Sequence, residues 1–372
     1  MSPRVLDDLA LARWRFRTLL LDGASAPDAP SAVRSLLAVQ AENLEQTAWA
    51  LASRTSGLTR TGLAGLLASG ELVRLHVLRP TWHLVHRDDV RWLLELTGPR
   101  VRHQVGRQLE RDLGLPSARV AALGDRVEEV LTVAPDRTRD ELADALREAG
   151  EEVTGMQLMV LLTHLELGLR VGSGRPRPDG GTGRHTYAPL GQRLPASPSM
   201  DRAEALGELA RRYAVGHGPV TERDLAYWAT LPLGDVRAGL AAAAGGLGSF
   251  EHDGRTWWHA PGEEPPARSR TPRVHLVHLL DEWYRGYQDS RRVVDVAGLH
   301  PVGREPSIGL LVVDAQVAGV ARRTVRGGTL AVEVTPYRPL GAAERRALGR
   351  EAEALAGWLG RELALTVVDP GA

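Results

Sequence analysis

Three times along this chain, a run of short amphipathic helices gives way to a pair of short strands. That order, helices and then a hairpin, is the winged-helix pattern, and it restricts the fold to small α+β units set in tandem. In the first stretch, residues 6–21 read as a helix stopped by Gly23. Ser31, after Pro30, is expected to cap a second helix with Val33, Leu36 and Leu37 on its apolar face. Residues 44–53 form a third, and Thr59 caps a fourth that ends at Gly70. The period then becomes strand-like over 72–78 and 81–85, with Arg79-Pro80 as the connection. Asp88 and Asp89 open a long helix toward Arg111.

The second stretch has helices over 138–149 and 156–168, then strands over 169–171 and 185–187. The third has helices over 204–215, 222–230 and 233–244, then a hairpin over 248–251 and 256–259 around Asp253-Gly254. Past Pro265-Pro266 the chain turns β-rich, with strands over 307–314, 316–324 and 329–335 and a final helix over 342–363. The expectation is an α+β, mostly helical protein. Three winged-helix units (1–115, 116–198 and 199–268) precede a β-rich C-terminal segment (269–372).

Several classes are excluded by composition. The 372 residues contain no cysteine, which removes disulfides, thiolate nucleophiles and Cys-based zinc sites. No apolar run reaches the roughly 18 residues of a membrane span, and the first residues lack an apolar leader segment, so a cytoplasmic location is expected. Formal net charge is zero, yet every basic side chain other than histidine is arginine. Arginine forks bind phosphates bidentately, so local clusters carry more information than the total. His275, His278 and Asp281 have a metal-like spacing, but the strand alternation around them puts the two histidines on opposite faces; neither metal nor cofactor is expected.

Two polar positions stand out. Gln40 and Glu42 flank Ala41 where the helix after Ser31 is expected to run out, at a junction where polar groups can face a ligand cleft. The insert over 172–184 between the second pair of strands is rich in Arg and Gly. Arg170, Arg175, Arg177, Arg184 and His185 face a lone Asp179, as in a flexible basic wing that follows phosphates or enters a minor groove. Arg100, Arg102, Arg107 and Arg111 read as a solvated helix face.

Val39-Gln40-Ala41-Glu42 and the string from Leu78 to Val85 resemble the AlkZ/YcaQ-like bacterial DNA glycosylases, as do Gly218-Pro219-Val220-Thr221 and the string from Leu279 to Asp289, in order and spacing. The resemblance implies tandem winged helices and a catalytic motif of Gln, an apolar residue, then Gln or Asp. Gln40 and Ala41 fit; Glu42 departs, with the length of Gln and the charge of Asp. It also implies that Arg79, Thr81 and His83 of the first wing meet DNA.

A cationic N7-alkylpurine leaves readily, so stabilising the oxocarbenium-like sugar and placing a water suffice. Glu42 is the candidate for the water and the opposing charge, and Gln40 for holding water or sugar through its amide. Without lysine, only the N-terminal amine could form a Schiff base, so a monofunctional glycosylase is inferred. The expected partner is double-stranded DNA carrying alkylated purines, met by a monomer. The implied substrates are bulky or cross-linked N7-alkylpurines, in genotoxin self-resistance or alkylation repair. The alternative is a non-catalytic winged-helix transcriptional regulator, although no heptad or separate dimerisation helix accompanies it.

Overall fold

Local capping chemistry sets most helix boundaries in the computed structural model, which describes residues 6–23, 25–179, 181–196, 200–300 and 309–368. Helix α1 (Asp8–Thr18) starts where the Asp7 carboxylate accepts from the amide of Ala10. Helix α2 (Ala29–Leu36) is capped by Asp28, not Ser31: Asp28 accepts from the Ser31 amide, and Pro30 sits in the first turn, where its missing N–H costs nothing. The chain then reverses at Leu37 (φ 64°) into strand β1 (Ala38–Gln40). The expectation that Gln40 ends a helix is therefore corrected; it ends a strand.

Helices α3 (Leu44–Ala52) and α4 (Arg60–Ser69) follow, capped by Asn43 and Thr59, and Gly70 closes α4 in the left-handed conformation. Strands β2 (Leu72–Val77) and β3 (Arg79–His86) pair antiparallel across Leu78 (φ 65°), so Arg79 and Pro80 belong to β3 and not to a connection. The small sheet runs β1-β3-β2. Helix α5 (Arg87–Arg111) leaves the end of β3.

Helix α6 (Ser117–Val133) was not expected; α7 (Arg139–Glu148) and α8 (Gly155–Glu166) were, and both open with capping boxes, Thr138 with Glu141 and Thr154 with Gln157. Strands β4 (Val171–Ser173) and β5 (Tyr187–Pro189) lie two residues beyond their expected positions. The third run is α9 (Arg202–His217), α10 (Glu222–Ala229), α11 (Leu233–Ala243), β6 (Gly248–His252) and β7 (Arg255–His259).

The C-terminal segment holds β8 (Val274–Val277), α12 (Glu282–Arg285), β9 (Gly309–Val313), β10 (Gln316–Arg326), β11 (Thr329–Pro336), α13 (Ala342–Leu359) and β12 (Glu362–Val367). Residues 307 and 308 of the expected first strand lie outside the described residues. The last helix stops at Gly360 (φ 63°), earlier than expected, and this frees β12 to pair parallel with β11 in a sheet ordered β12-β11-β10-β9-β8. The protein is thus α+β and mainly helical. Among the described residues no helix is long and apolar enough to cross a membrane.

Buried charges join distant segments. Arg15 on α1 is fully buried, donating to the Pro219 carbonyl (2.8 Å) and Ser290 Oγ (2.5 Å) while stacking on Tyr287 (3.8 Å). Arg54, just after α3, makes a bidentate pair with Asp281 at 2.6 and 3.0 Å. Asp281 therefore ties the C-terminal segment to the first helices. Trp228, Trp257 and Trp283 fill the interior around these ties. Burying an aromatic or aliphatic side chain of this kind contributes roughly 1.5–3 kcal/mol.

Candidate active site

The motif is held by its backbone from three sides. Gln40 lies opposite His83 in the β1–β3 register. Its amide donates to Glu282 Oε1 (3.0 Å), and its carbonyl accepts from Thr47 Oγ1 (3.0 Å). The Ala41 amide continues the ladder to the Trp82 carbonyl (2.7 Å). Arg74 on β2 donates to the carbonyls of Ala41 (2.9 Å) and Glu42 (3.2 Å) and lies over the Trp82 indole at 4.1 Å. Strand β1 ends at Gln40, and Glu42 follows in a bend before α3.

Their side chains differ in freedom. Gln40 is 5% exposed, and its Oε1 accepts from Arg79 Nη2 (3.3 Å), which leaves its amide NH2 to donate. Glu42 is exposed, with Oε1 accepting from the Trp82 amide (2.8 Å). Its second oxygen has no partner among the described residues and can bind a water.

Buried polar atoms without partners gather around this pair: Arg79 Nε, Thr81 Oγ1, Trp82 Nε1, His83 Nε2 and His185 Nε2. Buried polar atoms are normally hydrogen-bonded, so such atoms can take a water or a substrate group. His83 Nδ1 lies 2.8 Å from the Thr81 carbonyl, which can only accept, so Nδ1 carries the proton and Nε2 offers a lone pair. Burial, reinforced by Arg79, pushes the His83 pKa down to about 3, and the ring is neutral at physiological pH.

Glu282 and its neighbours were not foreseen. Its fully buried carboxylate accepts from Gln40 N, Trp228 Nε1 (2.9 Å) and His217 Nε2 (3.3 Å). Burial alone would raise its pKa, but the His217 hydrogen bond and charge, with Arg79 and His83, outweigh it and hold the group at about 2. The one available signal was the string from Leu279 to Asp289, in which Asp281 drew attention instead.

The basic wing departs from expectation. Arg170 is not free: it pairs with Asp125 (2.6 Å) and Glu128 (2.5 Å), and those bonds raise its pKa further. Arg177 pairs with Glu141 (2.6 Å) and bridges Arg184 through the backbone. His185 is half-buried between Trp82 (5.3 Å) and Tyr187 (4.6 Å), and burial depresses its pKa, so it is no phosphate-binding cation. Arg175 and Arg184 are exposed and form no ion pair with any described residue. The wing is also tied down: the Thr182 amide and hydroxyl donate to Glu45 Oε1 at 3.0 and 2.9 Å, on the first turn of α3. A Cβ at position 181 would lie 2.4 Å from Arg60 Nη2 and 2.6 Å from Glu45 Oε1, so a larger residue there would displace that ion pair.

Arg79 and Thr81 thus join Gln40 and His83, whereas Arg170 and Arg177 are engaged elsewhere. The N-terminal amine lies outside the described residues. His275 packs edge-on to Phe16 (5.0 Å), and His278 lies past the end of β8, 3.8 Å from Asp281.

A sequence profile described as DNA glycosylase AlkZ-like matches residues 33–358, a span that holds the motif, Arg74, Arg79, His83 and Glu282. The chain belongs to the AlkZ-like DNA glycosylase family. Its fold is similar to that of the DNA glycosylase AlkZ from Streptomyces sahachiroi, with a TM-score of 0.75 and 20% identity, over 98% of this chain and 100% of that one. No curated protein matches it by sequence. The protein is accordingly a DNA glycosylase, and the regulator alternative is set aside. In this family member the third motif position is Glu42.

Proposed function

We propose that the protein is a monofunctional glycosylase that hydrolyses the N-glycosidic bond of bulky or cross-linked N7-alkylpurines, acting as a cytoplasmic monomer on double-stranded DNA. The observation that supports this reading is a buried, backbone-anchored Gln40 two residues before an exposed Glu42 whose carboxylate is held by the Trp82 amide. The positive leaving purine needs no strong acid. Glu42 accepts a proton from an attacking water through its free oxygen and opposes the positive charge growing on the sugar. The Gln40 amide, turned by Arg79 so that its NH2 faces outward, holds that water or a sugar oxygen.

His83, neutral and with its Nε2 lone pair open, together with the Thr81 hydroxyl, supplies further polar contacts to the lesion nucleotide. Arg175 and Arg184 contact phosphates from the docked wing. The three helix-and-hairpin runs act as winged-helix units that present the motif to a duplex. Self-protection against a genotoxin, or general alkylation repair, is the setting for such a reaction.

The test is to incubate the full chain with duplexes carrying N7-methylguanine, a bulky N7-alkylguanine or an N7-linked interstrand crosslink, then reveal abasic sites with alkali. Release from the bulky and crosslinked substrates supports the proposal. Cleavage of N7-methylguanine alone would refute the lesion class.

A further inference from the structure

A cavity of about 330 Å³ opens beside the catalytic motif, between α3 and the C-terminal sheet. Asn43, the residue after Glu42, lines one wall with Gln46 and Trp49; Arg323, Trp358 and Arg361 line the other. The Glu45 and Arg60 side chains also reach it but neutralise each other at 2.7 Å. Arg323 and Arg361 have no such partner: neither forms a hydrogen bond through its side chain or an ion pair with any described residue. No other acidic residue lines the cavity, so its lining carries two uncompensated positive charges.

Arg323 makes this informative. Arg323 is half-buried, and burial lowers its pKa against the opposing pull of Glu351 and Asp281, neither of which forms an ion pair with it. An exposed cation needs no counter-charge, but one removed from solvent without a partner is expensive. The cost is relieved when an anion enters. The remaining wall is aromatic and apolar: Trp358 meets Trp49 at 5.6 Å, is anchored by its Nε1 to the Leu58 carbonyl (2.8 Å), and is only partly buried. Guanidinium groups next to an indole suit a phosphate that carries a sugar and base, as in nucleic-acid grooves.

We infer that this cavity is a phosphate subsite, in which Arg323 and Arg361 take a backbone phosphodiester of the DNA strand passing the catalytic motif and Trp358 supports its sugar or base. The β-rich segment then contributes directly to substrate binding. Glu45, which lines the cavity, also accepts from the Thr182 hydroxyl.

The test is the salt dependence of binding of the full-length protein to an undamaged duplex, so that the outcome does not depend on which lesion is cleaved. Arg361→Ala, at an exposed position, should make the plot of log affinity against log salt shallower by about 0.9, the loss of one phosphate contact, and Arg323→Gln should do the same. Arg361→Glu should weaken binding further. Unchanged slopes in Arg361→Ala and Arg361→Glu would overturn the inference even if Arg323→Gln failed to fold. Inorganic phosphate should compete only weakly with DNA. Thermal stabilisation of the wild type by inorganic phosphate, absent in Arg361→Ala and accompanied by unchanged DNA slopes, would identify a free-anion site and likewise overturn the assignment to DNA.

Discussion

The amide of Gln40 donates to Glu282 Oε1 at 3.0 Å across 242 residues of sequence. A buried carboxylate from the C-terminal segment thus fixes the strand that carries Gln40. Glu282→Ala would leave the donors of Gln40, Trp228 and His217 buried without an acceptor. Each costs about 1–3 kcal/mol, so urea unfolding should show a loss of several kcal/mol. Glu282→Gln, which keeps one acceptor oxygen, should lose less stability but still slow cleavage at saturating DNA. Wild-type stability in Glu282→Ala would contradict this role.

Stability should also follow the charge of Glu282. Its folded pKa, about 2, lies below the ordinary 4.5, so its contribution is complete above pH 4.5 and disappears as pH falls toward 2. By linkage the full effect is on the order of 3 kcal/mol. Urea titrations across that window should show a flatter profile in Glu282→Gln than in the wild type.

Buried histidines act at higher pH. His83 is held at about 3, and His275 and His278 at about 4, against an ordinary 6.5, chiefly by burial. Below pH 6.5 the unfolded chain binds protons that the native rings refuse, so stability falls as pH drops from 6.5 toward the folded values. Each ring contributes roughly 1.4 kcal/mol per pH unit in that window. His83→Gln should reduce the slope measured between neutral and mildly acidic pH; an unaltered slope would show that the native ring protonates freely.

The wing arginines should divide by their partners. Arg184→Ala and Arg175→Ala should each flatten the salt dependence of DNA binding by about 0.9. Arg170→Ala, whose guanidinium is occupied by Asp125 and Glu128, should leave the slope unchanged and instead reduce stability. Equal slopes for all three variants would refute the division.

Where folding chemistry is local, the sequence could be read directly. Thr59 and Gly70 bracket α4, and Thr138 with Glu141 opens α7, because caps involve residues within a turn of each other. Competition between neighbours was harder: Asp28 and Ser31 were both able to cap, and the carboxylate three residues earlier prevails. Helix α6 carries Val120, Leu123, Val127 and Leu131 at helical spacing, so its signal was present and unread. Strand β12 depends on β11, a helix away in sequence, and no local pattern separates it from the end of α13. Glu42 is proposed through the motif it resembles. Glu282 was not legible, since its partners Gln40, His217 and Trp228 lie 242, 65 and 54 residues away. Arg170 and Arg177 misled because composition reveals charge but not its counter-charge.

The most direct test of the account is single-turnover release of a bulky N7-alkylguanine by Gln40→Ala and Glu42→Ala, with enzyme saturating and DNA affinity measured alongside. The account predicts that both variants fold and bind the duplex as the wild type does, while the rate falls by about 10²–10⁴ in Glu42→Ala and by a smaller factor in Gln40→Ala. Wild-type rates in both would contradict the assignment of catalysis to this pair.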